Sequence, residues 1–297
     1  GSWPSPGPGI RRGSAIGYNL IDPAALGLVL AAALVHATWN FLAKRVQGGA
    51  EFTWLFSVVS TALYAPVTAA ILIFQKPPFG PAQLAGLGVT VLLELFYILI
   101  LQRAYRAADL SVVYPIARGT APVVATAGAV VLFGERPGPV GLAGAGLIVV
   151  GLLLVAGNPR LRWQPAAWRG VAYALAVGLT IGAYTLWDKY LVTDLGLSPL
   201  VLNWAVTFGF SLLLLPAALG RRGLVGLTWR KRRAETLLMG LCFPLSYIIL
   251  VLTALTFAPV SYIAPAREVS VLFGTVIGAR FLKEPQFGRR LAGAALI

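Results

Sequence analysis

Apolar residues along this chain fall in long unbroken blocks. They show neither the strict alternation of a half-buried strand nor the single stripe of a soluble amphipathic helix. Reading the blocks between charged or Pro/Gly breaks predicts ten helical spans, near 23–43, 54–74, 84–102, 111–132, 139–157, 169–188, 199–219, 236–256, 261–279 and 288 onward. A block of about 20 residues, rising about 1.5 Å per residue, crosses a hydrocarbon core of about 30 Å. The loops between blocks are short, and no water-soluble domain fits anywhere. The pattern predicts an all-α polytopic membrane protein. A membrane barrel would need short alternating strands, and the sequence has none.

The second half of the pattern repeats the first. At an offset of 150, Trp54 matches Trp204, Pro66 matches Pro216, Tyr97 matches Tyr247, Ser111 matches Ser261 and Pro115 matches Pro265. At 149, Arg118 matches Arg267, Glu135 matches Glu284 and Leu142 matches Leu291; at 145, Lys44 matches Lys189. Leu and Ala recur by chance in an apolar chain, but a steady register through Trp, Pro, Tyr, Arg and Glu does not. The expected organisation is a tail at 1–22, a first five-helix repeat at 23–159 and a second at 168–297, forming one transmembrane domain. "LAGAGLI" at 142–148 runs on into more apolar residues, whereas its counterpart "LAGAALI" ends the sequence at 297, so the tenth helix is expected to be truncated here. Five is odd, so the second copy enters the membrane from the opposite side. Inverted repeats of this kind form secondary transporters, with the site in a central cavity near the midplane.

Composition agrees and adds an orientation. Apolar residues make up 58% of the chain, charged residues 11%, and mean hydropathy is +0.80, outside the range of soluble domains. The net charge of +14 does not point to nucleic acid, because its carriers sit in short loops between apolar spans. Of these, 17 fall in odd-numbered loops and five in the tail and even-numbered loops. The positive-inside rule then puts the odd loops in the cytoplasm and both termini outside, in a multi-pass protein of the cell inner (plasma) membrane. Cys242 is the single cysteine, so no intrachain disulfide can form.

The candidate chemistry lies in the few polar residues inside the spans. Arg118 and Arg267 sit about seven residues into spans four and nine, Glu268 is beside Arg267, and Glu94 is near the middle of span three. Ionised groups at such depth cost about 2.5–3.5 kcal/mol or more unless they face protein or a wet cavity. Two readings stay open. Arg118 pairs with Glu94 and Arg267 with Glu268 as structural ties, or the two arginines form an anion site for a carboxylate or phosphate. In "HATWNFLAKR", His36 and Asn40 are a turn apart with Trp39 beside them, and at an offset of 145 Trp39 and Asn40 match Tyr184 and Thr185. Aromatic and polar residues at matching places suit a site on the repeat axis, although a lone His in an apolar span also serves as a packing residue. Tyr97, Tyr114 and Tyr247 complete the candidate substrate-binding set. Asp188 and Lys189 close span six and read as a snorkelling pair at the interface. Gly141 and Ala145, a turn apart, suit close helix packing within the fold or between two copies, so the chain is expected as a monomer or homodimer.

The stretches "HATWNFLAKR", "AYRAADLSVVYPIARGTAP", "FGERP", "LTFAPVSYIAPAREVSVLFGT" and "LKEP" resemble the EamA family of the drug/metabolite transporter superfamily. The resemblance implies ten helices in two inverted five-helix repeats around a central cavity, and export of small metabolites, amino acids prominent among them. The leading expectation is a secondary transporter of amino acids working by alternating access through a midplane cavity. An arginine would take the carboxylate, and Glu94, Glu268 or the aromatics the ammonium end. An exporter of organic cations or drugs is the alternative, and an exchanger of phosphorylated metabolites is a third. An enzyme is not expected: no HExxH helix, GxSxG elbow or metal-ligand cluster is present. No cofactor and no metal are expected. Energy coupling is not legible in the chain; without a Walker motif, protons are a candidate coupling ion, with Glu94, Glu268 and His36 as candidate carriers.

Overall fold

A computed structural model describes residues 23–134, 138–156, 165–246, 269–282 and 287–296. Eleven helices lie in them: α1 (Pro23–Val46), α2 (Ala50–Phe74), α3 (Pro81–Ala107), α4 (Leu110–Phe133), α5 (Pro139–Ala156), α6 (Pro165–Thr193), α7 (Pro199–Leu213), α8 (Leu215–Gly220), α9 (Arg222–Pro244), α10 (Val269–Leu282) and α11 (Phe287–Leu296). No strand occurs among the described residues. Four stretches are long and apolar enough to cross a membrane: Ala50–Phe74, Pro81–Ala107, Val112–Leu132 and Trp168–Thr193.

The surface is inverted relative to a soluble protein. Leu63, Val67, Leu92, Phe96, Val131, Leu132 and Leu179 are exposed, while Thr53, Ser57, Ser60, Thr90, Glu94, Arg118, Asn203 and Thr207 are buried. Lipid offers apolar side chains favourable surroundings and polar ones no partner, so the polar residues turn inward. Some of them bond across helices, as Ser60 does to the Gly240 carbonyl and Gln102 to Thr53.

Packing follows small residues. Helix α6 lies against α3 and α4, α2 against α7 and α9, α1 against α9 and α10, and α5 against α11. On α6, a Cβ at Gly178 would sit 2.7 Å from the Ala117 carbonyl oxygen, and one at Gly182 would sit 2.6 Å from Val124. Helices α4 and α6 touch nearly backbone to backbone there. The end of α3 is fixed by Lys44, whose Nζ donates to the carbonyls of Tyr105 (2.8 Å) and Ala108 (2.9 Å). A cation on the last carbonyls of a helix satisfies acceptors that have no intrahelical partner and opposes the negative end of the helix dipole. Helix α4 stops at Gly134, whose φ of +64° is the left-handed turn that glycine takes without strain.

Two segments depart from the expected spans. The block read as one span at 199–219 breaks between α7 and α8 at Leu214, where Pro216 in the first turn of α8 cannot donate a backbone hydrogen bond. The basic stretch read as a loop is the first part of α9, which leaves helical geometry only at Arg232 (φ −132°, ψ 27°). Its Leu224, Leu227 and Trp229 are exposed, and a helix with such residues beside Arg222, Arg230 and Lys231 suits a membrane interface. At the break, Arg232 Nη1 donates to Glu235 Oε1 (3.1 Å) and Arg45 approaches the same oxygen at 3.8 Å.

Candidate functional site

The long apolar helices set two antiparallel surfaces, α3 and α6, against each other, and the polar residues between them form a ladder. Trp187 Nε1 donates to the Gly86 carbonyl at 3.1 Å, and Thr90 Oγ1 donates to Asp188 Oδ1 at 2.8 Å. Further along, the Tyr97 and Tyr184 rings meet with centroids 5.5 Å apart. Glu94 lies between these levels, one turn from Thr90 on the same face of α3.

Opposite the ladder, α1 presents His36 and Trp39 one turn apart, with ring centroids 4.8 Å apart in edge contact. Trp39 Nε1 donates to Ser246 Oγ (2.9 Å), just past the end of α9, and the Trp39 ring meets Phe243 at 5.2 Å. Ser246 in turn donates to the Phe243 carbonyl at 3.1 Å. These bonds hold the indole in one orientation.

Between the two sides is a small cavity of about 10 Å³, lined by His36, Trp39, Glu94, Tyr97, Tyr184, Phe243 and Ser246. Its volume is the room of about one water molecule. The lining combines four aromatic rings, two of them phenols, with an imidazole, a serine hydroxyl and one carboxyl. Electron-rich ring faces beside a carboxylate attract a positive group, and apolar ring edges accept an organic one. Among the described lining residues no guanidinium appears.

The expected site residues divide accordingly. His36, Trp39, Glu94, Tyr97 and Tyr184 come together on the cavity. Asn40 does not line it: its Nδ2 donates to the His36 carbonyl (2.8 Å), and its Oδ1 accepts from the Tyr105 hydroxyl (2.6 Å), tying α1 to α3. Tyr114 is buried with its hydroxyl donating to Ser270 Oγ at 3.0 Å, and Gly274 on α10 leaves room for its ring. Arg118 is buried on α4 and is not among the cavity's lining residues. Glu94 Oε1 has no hydrogen-bond partner among the described residues. Tyr247, Arg267 and Glu268 lie outside the described residues.

Asp188 corrects a sequence expectation. It is fully buried on the ladder, not at the interface, because Thr90 reaches across from α3 to bond it. Its position one turn beyond Tyr184 on α6 was the available signal. Phe243 and Ser246 carried no comparable signal, since they join the cavity only through the packing of α9 on α1.

Buried polar residues inside helices whose outer faces are apolar define a multi-pass helical membrane protein. Residues 23–157 match the model of the EamA-like transporter family. One solved structure, described only as a crystal structure of a protein, superimposes with a TM-score of 0.62 at 16% identity over 92% of this chain and 95% of that one. That likeness concerns the fold alone. A search of curated proteins finds no match.

Proposed function

We propose that the protein is a secondary transporter that exports small amine-bearing metabolites, amino acids first among them, through the cavity between α1, α3, α6 and α9. The observation that carries this reading is the lining itself: Glu94 set among Trp39, Tyr97, Tyr184 and Phe243. The carboxyl and rings suit the ammonium end of a substrate, and the buried Arg118 on α4 suits its carboxylate once the helices part. A cavity the size of about one water cannot hold an amino acid, so the reading requires a more open state and fits alternating access. A carboxyl facing the cavity argues against phosphorylated substrates.

The second reading is export of organic cations, favoured by the absence of a guanidinium among the described lining residues. Counterflow in proteoliposomes with a panel of amino acids, organic cations and phosphorylated compounds separates the readings. Exchange of amino acids but not of their decarboxylated amines supports the first, and the reverse supports the second. Flux of phosphorylated compounds alone would overturn both.

The architecture proposed with this function is ten spans in two inverted five-helix repeats, 23–159 and 168–297. Its support is reciprocity. Helix α1 lies against α9 and α10 as its counterpart α6 lies against α3 and α4, while α2 meets α7 and α5 meets α11. With the odd-numbered loops in the cytoplasm, both termini face outward in the plasma membrane.

A further inference from the structure

We propose that Glu94 and Asp188 form a proton-exchange site, in which the two carboxyls share a proton while the cavity is closed and release it when the cavity opens. Asp188 is fully buried, with Oδ1 accepting from Thr90 and Oδ2 without a hydrogen-bond partner among the described residues. Glu94 is 2% exposed, sits one turn from Thr90 on the same face, and its Oε1 also lacks a partner among the described residues. A buried carboxylate without donors is strongly disfavoured, and a second one beside it more so. A shared proton removes both penalties, because a protonated carboxyl is itself a donor.

The two acids have different access. Glu94 lines the cavity, whereas Asp188 is not among its lining residues and accepts from Thr90 on the ladder. On opening, water enters at Glu94, the carboxyl O–H bond breaks, its electron pair stays on the carboxylate, and water carries the proton away. Among the described residues, the titratable or charged groups on the helices packed around the pair include His36 on α1, Tyr97 on α3, Tyr114 and Arg118 on α4, and Tyr184 on α6. Of these, His36, Tyr97 and Tyr184 line the cavity with Glu94. Lys189 lies about 100° further round α6. Helix α7, packed on α3, carries no titratable side chain, and the cavity-facing residues of the α9 end are Phe243 and Ser246.

The coupling of this site to export rests on the transport reading above, but the site can be tested without a substrate. Infrared difference spectra of the lipid-reconstituted protein between acidic and alkaline buffer, in light and heavy water, read the C=O stretch of protonated carboxyls. The wild type should show a band that disappears in alkali, Glu94→Gln and Asp188→Asn should each change it, and the double variant should lack it. Thr90→Val keeps both carboxyls and removes the hydrogen bond to Asp188, so it should shift the band's frequency. A band unchanged in the double variant, or unchanged in Thr90→Val, overturns the proposal, as does its absence from the wild type. If no panel compound is transported, the transport reading fails while the spectra still decide this one.

Discussion

Trp54 and Trp204 make the same hydrogen bond in opposite directions. Trp54 Nε1 on α2 donates to the Ser211 carbonyl on α7 at 3.0 Å, and Trp204 Nε1 on α7 donates to the Thr61 carbonyl on α2 at 3.0 Å. Donors and acceptors are both 150 positions apart in the chain, and the hydroxyls of Thr61 and Ser211 face each other at 3.5 Å. One turn on, Ser57 donates to the Trp54 carbonyl and Thr207 to the Trp204 carbonyl.

Trp54→Phe and Trp204→Phe should therefore cost nearly the same stability. Each removes one indole donor and leaves one carbonyl without it, a loss of about 0.5–1.5 kcal/mol. Unfolding in mixed micelles measures both. A cost at one position and none at the other would show that the two bonds are not equivalent.

Gly178→Ala tests the contact of α4 with α6. The added methyl meets the Ala117 carbonyl oxygen and the Thr120 side chain, and backbone cannot step aside as a flexible side chain can. Overpacking of this kind costs about 1–3 kcal/mol. The expected result is a lower melting temperature in detergent, and an unchanged one would refute the close approach.

Trp39→Ala and Tyr184→Ala should weaken transport of bulky substrates more than of small ones. Losing a buried aromatic contact of about 1–3 kcal/mol corresponds to roughly 5- to 150-fold in affinity. Half-saturation concentrations in proteoliposomes provide the measurement. Trp39→Phe, which keeps a ring but loses the donor to Ser246, serves as the milder variant should Trp39→Ala fail to fold. Normal folding with unchanged transport of every compound would remove both residues from the site.

Acidification should weaken the tie at the α9 break. Burial pushes the Glu235 carboxyl up, but its own backbone N–H and the Arg232 and Arg45 guanidiniums outweigh this and hold it below the usual glutamate value. A carboxylate lowered in the folded state adds stability above its unfolded value, and that stability is lost as pH falls through the folded one. Wild type should lose this increment in acid and Glu235→Gln should not. Parallel melting curves across the carboxylate range would reject the pairing.

The orientation has its own test. A cysteine introduced between 221 and 233, in a variant with Cys242 replaced, should resist impermeant thiol reagents in intact cells and react after permeabilisation. Labelling from outside would reverse the topology.

Much of this protein was legible in the chain because a bilayer imposes a simple rule. Every lipid-facing residue must be apolar and every backbone group must bond within its own helix, so the blocks of α2, α3, α4 and α6 are visible as composition alone. The proposed repeat has its sequence signal in Trp54 and Trp204, because rare residues keep a register that leucines cannot. The aromatic face of α1 could also be read, since His36 and Trp39 are neighbours along one helix. What tertiary structure decided was which polar residues meet across helices. Asp188 reads as an interfacial residue from its neighbour Lys189, and only Thr90 on another helix makes it part of a buried ladder. Asn40 reads as a site residue from its neighbour Trp39, yet Tyr105, 65 positions away, draws it into a structural bond. Sequence spacing fixes neighbours along a helix; contacts between helices depend on rotation and depth, which small residues such as Gly178 set only once the helices pack.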